Sequence, residues 1–234
     1  MATKQQNKDI AEMGETLNTS EAFFLKYKKA ILCGLAAIVV IVVGCILYNN
    51  YVAVPHEQEA STALAKGQEY LDNEQFDKAL KGDGAGFAGF AKIADDFSGT
   101  DAGNLANLYA GLCYANQEKP DWKKALEYVE KFSPKGDMLI SPASQMALGD
   151  IYANNDQVDK AVESFKKAAA MADKKATDDT NNSVAPVAMR KAGVLLEATG
   201  KKAEALQIYK DIKAKYVNSA VFQDIDKYIE RASR

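Results

Sequence analysis

The chain has 234 residues, with 29 basic and 32 acidic side chains, one histidine and three cysteines. A single histidine excludes His-rich metal centres, which need several positioned ligands, and leaves His56 as the one imidazole base a catalytic triad could use, with no activating constellation recognisable around it. The near-balanced charge excludes the basic stripe through which proteins hold nucleic acid.

Residues 1–29 carry five lysines and four acids and precede an unbroken apolar run, Ala30 to Tyr48, with no charge and no proline. Nineteen helical residues span about 28 Å at ~1.5 Å each, close to the ~30 Å hydrocarbon core of a bilayer. The run therefore predicts a transmembrane helix over 30–48. Lys26, Lys28 and Lys29 stand directly before it and no basic residue follows until Lys66. By the retention of positive charge on the cytoplasmic side, residues 1–29 are expected in the cytoplasm and the remainder across the membrane. Cleavage as a signal peptide is disfavoured by the length of the run and by the lack of a small-residue site after it. A lipoprotein box is present in Val42-Val43-Gly44-Cys45. Ile46 to Tyr48 stay apolar where such a protein turns polar, so lipidation of Cys45 stands as the alternative to spanning.

A linker is expected over 49–56, and an exported domain over 57–234. Beyond Lys29 the chain carries 24 basic and 28 acidic residues; Cys33 and Cys45 lie in the apolar run, and the domain itself holds one cysteine, Cys113, so no disulfide can form within it. Cys113 lies in an apolar helical pattern and reads as a small buried hydrophobe. The domain opens with an irregular helical unit over 57–99, which begins on Gly67, Tyr70 and Ala79 and breaks at Lys81 to Gly86. The closely spaced glycines there lack the strand and the Gly-Lys-Ser/Thr ending of a phosphate loop, and read as a turn.

Three further units follow at about 103–137, 142–175 and 186–219. In the second of them Leu148, Gly149, Tyr152, Ala161, Phe165 and Ala168 keep a fixed spacing. Gly193, Leu196, Ala205, Tyr209 and Ile212 repeat it without a gap. Gly111, Tyr114, Ala125, Val129 and Phe132 repeat it with two extra residues in the turn, where Asp121 is placed to cap the second helix. This is the tetratricopeptide (TPR) pattern, a helix-turn-helix of about 34 residues. Pro142 and Pro186 suit first helical turns, and the polar stretch 173–183 reads as the longest and most mobile linker. Phe222, Ile225, Tyr228 and Ile229 predict a capping helix over 220–231. The fold class is thus all-α: an N-terminal transmembrane helix followed by a TPR solenoid with a C-terminal cap.

Stacked units of this kind form a groove lined by their first helices. Counted from the aligned glycines, the lining is Leu105, Leu108 and Leu112, then Ala143, Met146 and Asp150, then Val187, Arg190 and Val194. This mostly apolar surface suits an apolar polypeptide segment rather than an acidic tail, unless the Glu57–Asn73 helix of the same chain fills it. No catalytic constellation, metal site or cofactor site is recognisable.

The stretches EAFFLKYKKAI, Gly82-Asp83-Gly84, AGNLANLYAGLCY and YKDIKAKYVNS resemble the single-pass, TPR-containing envelope proteins of Bacteroidota, similar in layout to the YfgM-like ancillary subunit of the Sec translocon. That resemblance implies a non-enzymatic adaptor of the bacterial inner membrane. Its repeats would lie in the periplasm beside the translocon and a membrane-anchored chaperone. A lipid-anchored structural component of an envelope assembly complex, held through Cys45, is the alternative.

Overall fold

The computed structural model describes the backbone of residues 2–234 and the side chains of Phe23 and of residues 26–234. Most of the expected 1–29 segment therefore lies outside the described side chains. The chain divides into two compact units, Met1–Pro55 and His56–Arg234.

The first unit is a single long helix, α1 (Ala2–Tyr48), prolonged by a π-helical turn over Asn49–Ala53 where an irregular linker is expected from sequence. It is long and apolar enough to cross a membrane, with a mean hydropathy of 3.1 in its most apolar window, none of which is buried. Its large aliphatic side chains over 32–47 are exposed, from Val43 at 48% to Val40 at 71%.

The second unit holds all but the first two residues of α2 (Val54–Asp72), then α3 (Phe76–Lys81), α4 (Phe90–Asp96), α5 (Asp101–Asn116), α6 (Trp122–Lys131), α7 (Ile140–Asn154), α8 (Val158–Lys174), α9 (Ala185–Ala198), α10 (Lys202–Lys215) and α11 (Ile225–Ser233), with no strand among the described residues. From α4 to α11 each helix packs chiefly on the next in chain order. That is how a solenoid buries its apolar stripes when no single helix pair can.

The repeat spacing becomes contact at three glycines. A Cβ on Gly149 would fall 2.6 Å from the Phe165 ring, one on Gly193 would run into the Tyr209 ring, and one on Gly111 into Val129. The glycine of each first helix is thus the seat of the large side chain on its second helix, with Ala125, Ala161 and Ala205 fully buried beside them. The same logic explains the broken first unit. Its second helix is split into α3 and α4, and the seat on Gly67 is taken from across the break by Phe87 and Phe90.

That break is a tied loop. The Asp83 carboxylate accepts the N–H of Ala85 (2.7 Å) and of Phe87 (3.0 Å) and the hydroxyl of Tyr70 (2.8 Å). Gly82 and Gly89 adopt φ of +95° and +90°, and a Cβ on either would strike backbone of the opposing arm.

Turns within units also repeat. Glu74, Asp156 and Gly200 have φ of 56°, 58° and 81°, and each stands seven residues after its unit's glycine. In the inserted turn, Asp121 instead caps α6 by accepting the Lys124 N–H at 3.0 Å.

Two expectations need correction. Asp173 is the penultimate residue of α8 rather than linker: it is buried and accepts from the Tyr216 hydroxyl (2.7 Å), Lys215 Nζ (2.6 Å) and the Asn181 N–H (2.8 Å). The capping segment is divided, because Ser219 accepts the Phe222 N–H and closes a 3₁₀ turn over Ala220–Gln223 before α11 begins.

Candidate functional site

Of the nine groove positions expected from sequence, three meet in one concavity of about 430 Å³: Asp150 from α7, and Arg190 and Val194 from α9. Ala153, Lys191 and Tyr228 complete most of its wall, the last contributed by α11. Their convergence follows from the repeat, since Asp150 and Val194 each stand one residue after a seated glycine. The first helices lie side by side with these positions facing the same way.

Met146 sits one turn before Asp150 and is half-buried against the core shared by α7–α11. The α5 positions behave differently, and one expectation is overturned. Leu108 is only 5% exposed, because it packs with Ala125, Val129 and Ile151 between successive units. Leu105 and Leu112 are half-buried against the same cluster. The wide face of α5 is consumed by packing, so the accessible concavity belongs to α7, α9 and α11. Helix α2 does not fill it: Ala60 and Leu64 pack with α3, α4 and α5.

The electrostatics of the concavity are organised in layers. On its floor Lys191 Nζ donates to both Asp150 oxygens at 2.7 and 2.8 Å. Beside it Arg231 grips Glu197 through two bonds of 2.6 and 2.8 Å, and Glu197 also accepts the Tyr209 hydroxyl at 3.0 Å. The Arg231 guanidinium holds the Glu197 carboxyl below its usual range, while burial and Glu197 together push the Tyr209 hydroxyl up. Tyr228 receives the Arg231 and Arg190 guanidinium groups over its ring at 4.9 and 5.9 Å. Arg190 has no carboxylate within ion-pair distance among the described residues. Next to it Val194 is 40% exposed. A guanidinium without an ion-pair partner among the described residues, an apolar rim and an aromatic wall suit an apolar segment that carries an acidic group.

A second hollow, of about 560 Å³, lies at the start of α5 and is polar. Its groups are committed to one another: Asn104 and Ser133 exchange bonds of 2.9 and 2.7 Å, and Lys135 pairs with Asp101 at 2.8 Å. The first turn of α5 is closed from α2, where the Glu57 carboxylate accepts the N–H of Asp101 and Ala102 at 2.7 and 2.9 Å. Sequence reasoning misses this cap because its donor and acceptor lie 44 residues apart.

Among the described residues no three His, Cys, Asp or Glu side chains come together to hold a metal ion. Cys113 is fully buried, and burial pushes its thiol up to about 12, far from the thiolate that nucleophilic chemistry needs. Cys45 is exposed on α1, which continues through Ile46 and Leu47.

Residues 118–224 match the family model of the Suppressor of spindle checkpoint defect 1 C-terminal domain. No curated protein matches the chain. Among solved structures it is similar to a Podosopora anserina protein of nearly identical TPR-like repeats. A variant of that protein aligns at 16% identity and a TM-score of 0.57, over 76% of this chain and 86% of that one. The unsubstituted form gives the same identity and score over 75 and 86%. At such identity the likeness is one of fold. The chain is an all-α protein of TPR-like repeats preceded by a long apolar helix.

Proposed function

We propose that this protein is a non-enzymatic adaptor anchored in the bacterial inner membrane by residues 30–48, with its N-terminus cytoplasmic and its repeats in the periplasm. In this reading the concavity of α7, α9 and α11 holds segments of an exported polypeptide or of a membrane-anchored chaperone beside the Sec translocon. The observation that carries it is the uncovered patch of Arg190, Val194 and Tyr228, the part of the repeat groove that packing within the chain leaves open. The apolar length of α1 and the lysines before it support the membrane anchor, and the resemblance in sequence layout to YfgM-like proteins supports the choice of partner.

A photocrosslinking residue at Val194 of the full-length protein in cells tests this. Adducts with a translocon subunit or an envelope chaperone are expected, falling at least fivefold when Arg190→Glu is added. Intramolecular products alone would sink the adaptor reading. An intact mass raised by lipid on Cys45 would replace the spanning anchor by the lipid-anchored alternative.

A further inference from the structure

Between α6 and α7 the chain presents Met138, Leu139 and Ile140 side by side at 59, 67 and 40% exposure. From His56 onward the other large apolar side chains so exposed are Val194, already placed in the groove, and Val217. A run of three is a patch rather than scatter. It is also built rather than loose. The Asp137 carboxylate accepts the N–H of Leu139 (2.9 Å), Ile140 (2.5 Å) and Ser141 (3.1 Å) and the Ser141 hydroxyl (2.5 Å). The Ser141 oxygen in turn accepts the Gly136 N–H at 3.0 Å, with Gly136 at φ +74°. The Asp137 carboxylate stays ionised, with its oxygens turned to these backbone and hydroxyl donors.

The surroundings are cationic. Lys175 Nζ lies 4.0 Å from where a Gly136 Cβ would stand, and it has no carboxylate within ion-pair distance among the described residues. Lys135, though paired with Asp101, is 63% exposed at its side chain. An apolar tip with a lysine collar is complementary to a surface that is apolar below and anionic above.

We propose that Met138, Leu139 and Ile140 insert into the interfacial layer of a bilayer containing anionic phospholipid, a second membrane contact for the repeat unit. This rests on the membrane-anchored reading above. Three partly exposed side chains supply a gain on the order of 10²–10³-fold. That is too little to recruit a free protein, but it is sufficient when a tether holds the effective concentration of membrane high.

The test uses the full chain in vesicles of phosphatidylcholine and phosphatidylglycerol, with Met138→Cys carrying an environment-sensitive fluorophore and Cys33 and Cys45 changed to serine. Quenching by spin-labelled lipid is compared with the same label at Val217→Cys, and with a label on Cys45 in a Cys33→Ser chain. At least threefold stronger quenching at 138 than at 217 is expected. It should be lost in Leu139→Asp, reduced in Lys175→Glu, and reduced in vesicles without phosphatidylglycerol, with helical circular dichroism unchanged. Quenching at Cys45 with none above the Val217 level at 138 overturns the inference alone. No quenching at Cys45 overturns the membrane anchor and the inference with it. Burial of the 138 label that grows with protein density in the membrane shows a second copy on the tip, and also overturns it.

Discussion

Gly149 and Gly193 set the distance between the two helices of their units, and the cost of filling them can be weighed. Alanine gains up to about 1 kcal/mol in helix propensity, while overpacking a closed seat costs about 1–3 kcal/mol, so both substitutions should lower stability. Gly193→Ala should cost more than Gly149→Ala, because the Tyr209 ring is fully buried and its hydroxyl is held by Glu197, leaving it no retreat. Urea unfolding of the two variants checks the order. Two carboxylates set a pH dependence. The N–H of Phe87 and of Ala85 and the Tyr70 hydroxyl hold Asp83 down to about 2. At Asp137, partial burial pushes upward but is outweighed by the Ser141 hydroxyl and the N–H groups of Leu139, Ser141 and Ile140, again giving about 2. Both lie below the ~3.9 of an unfolded aspartate, so the stability they confer is complete above about pH 4 and is lost as pH falls through 2. Asp83→Asn should therefore lower the urea midpoint at pH 6, and the difference from the parent chain should close toward pH 2.

At the scale of the element, the turn seven residues after each unit's glycine asks for a left-handed residue, and the three occupants answer it unequally. Gly200 is free to adopt it and Asp156 tolerates it, but Glu74 holds φ of 56° with a full side chain. A non-glycine residue there costs about 1–2 kcal/mol, of which the greater unfolded-state freedom of glycine takes back about 0.4–1 kcal/mol. Glu74→Gly should thus raise stability by about 0.5–1 kcal/mol and Gly200→Ala lower it by a similar amount, both read from thermal unfolding. The seats at Gly111, Gly149 and Gly193 and the cap at Asp121 were legible in the sequence, because all rest on spacing within 34 residues or so. What was illegible depends on contacts made over longer separations. Asp173 reads as polar linker until Tyr216 and Lys215 arrive from the next unit, and Leu108 reads as groove until Ile151 covers it. The tied loop at Asp83 looks like a bare glycine break, since nothing in its composition says that Phe87 and Phe90 will cross it to reach Gly67.

Across the repeat unit, the core is a series of neighbouring clusters: one from α2 to α5, a small one joining α5, α6 and α7, and one from α7 to α11. Stability in such an array is nearly a sum of units and nearest-neighbour interfaces. Leu196→Ala, at a site 1% exposed, should cost about 2–5 kcal/mol. It should lower hydrogen-exchange protection in α8–α11 while leaving α3–α5 as in the parent chain, whereas uniform loss of protection would mean the stack unfolds as one. The Glu57 cap on α5 takes on a further meaning in this linear arrangement. A helix held only by its neighbour peels from the end when pulled, one residue at a time. Because Glu57, in the first turns of α2, grips the backbone of α5, a force applied to the chain at His56 is loaded in shear onto two helices together. The repeat unit thereby begins with a mechanical clamp, and traction on its N-terminal side must break that clamp before the stack can unravel.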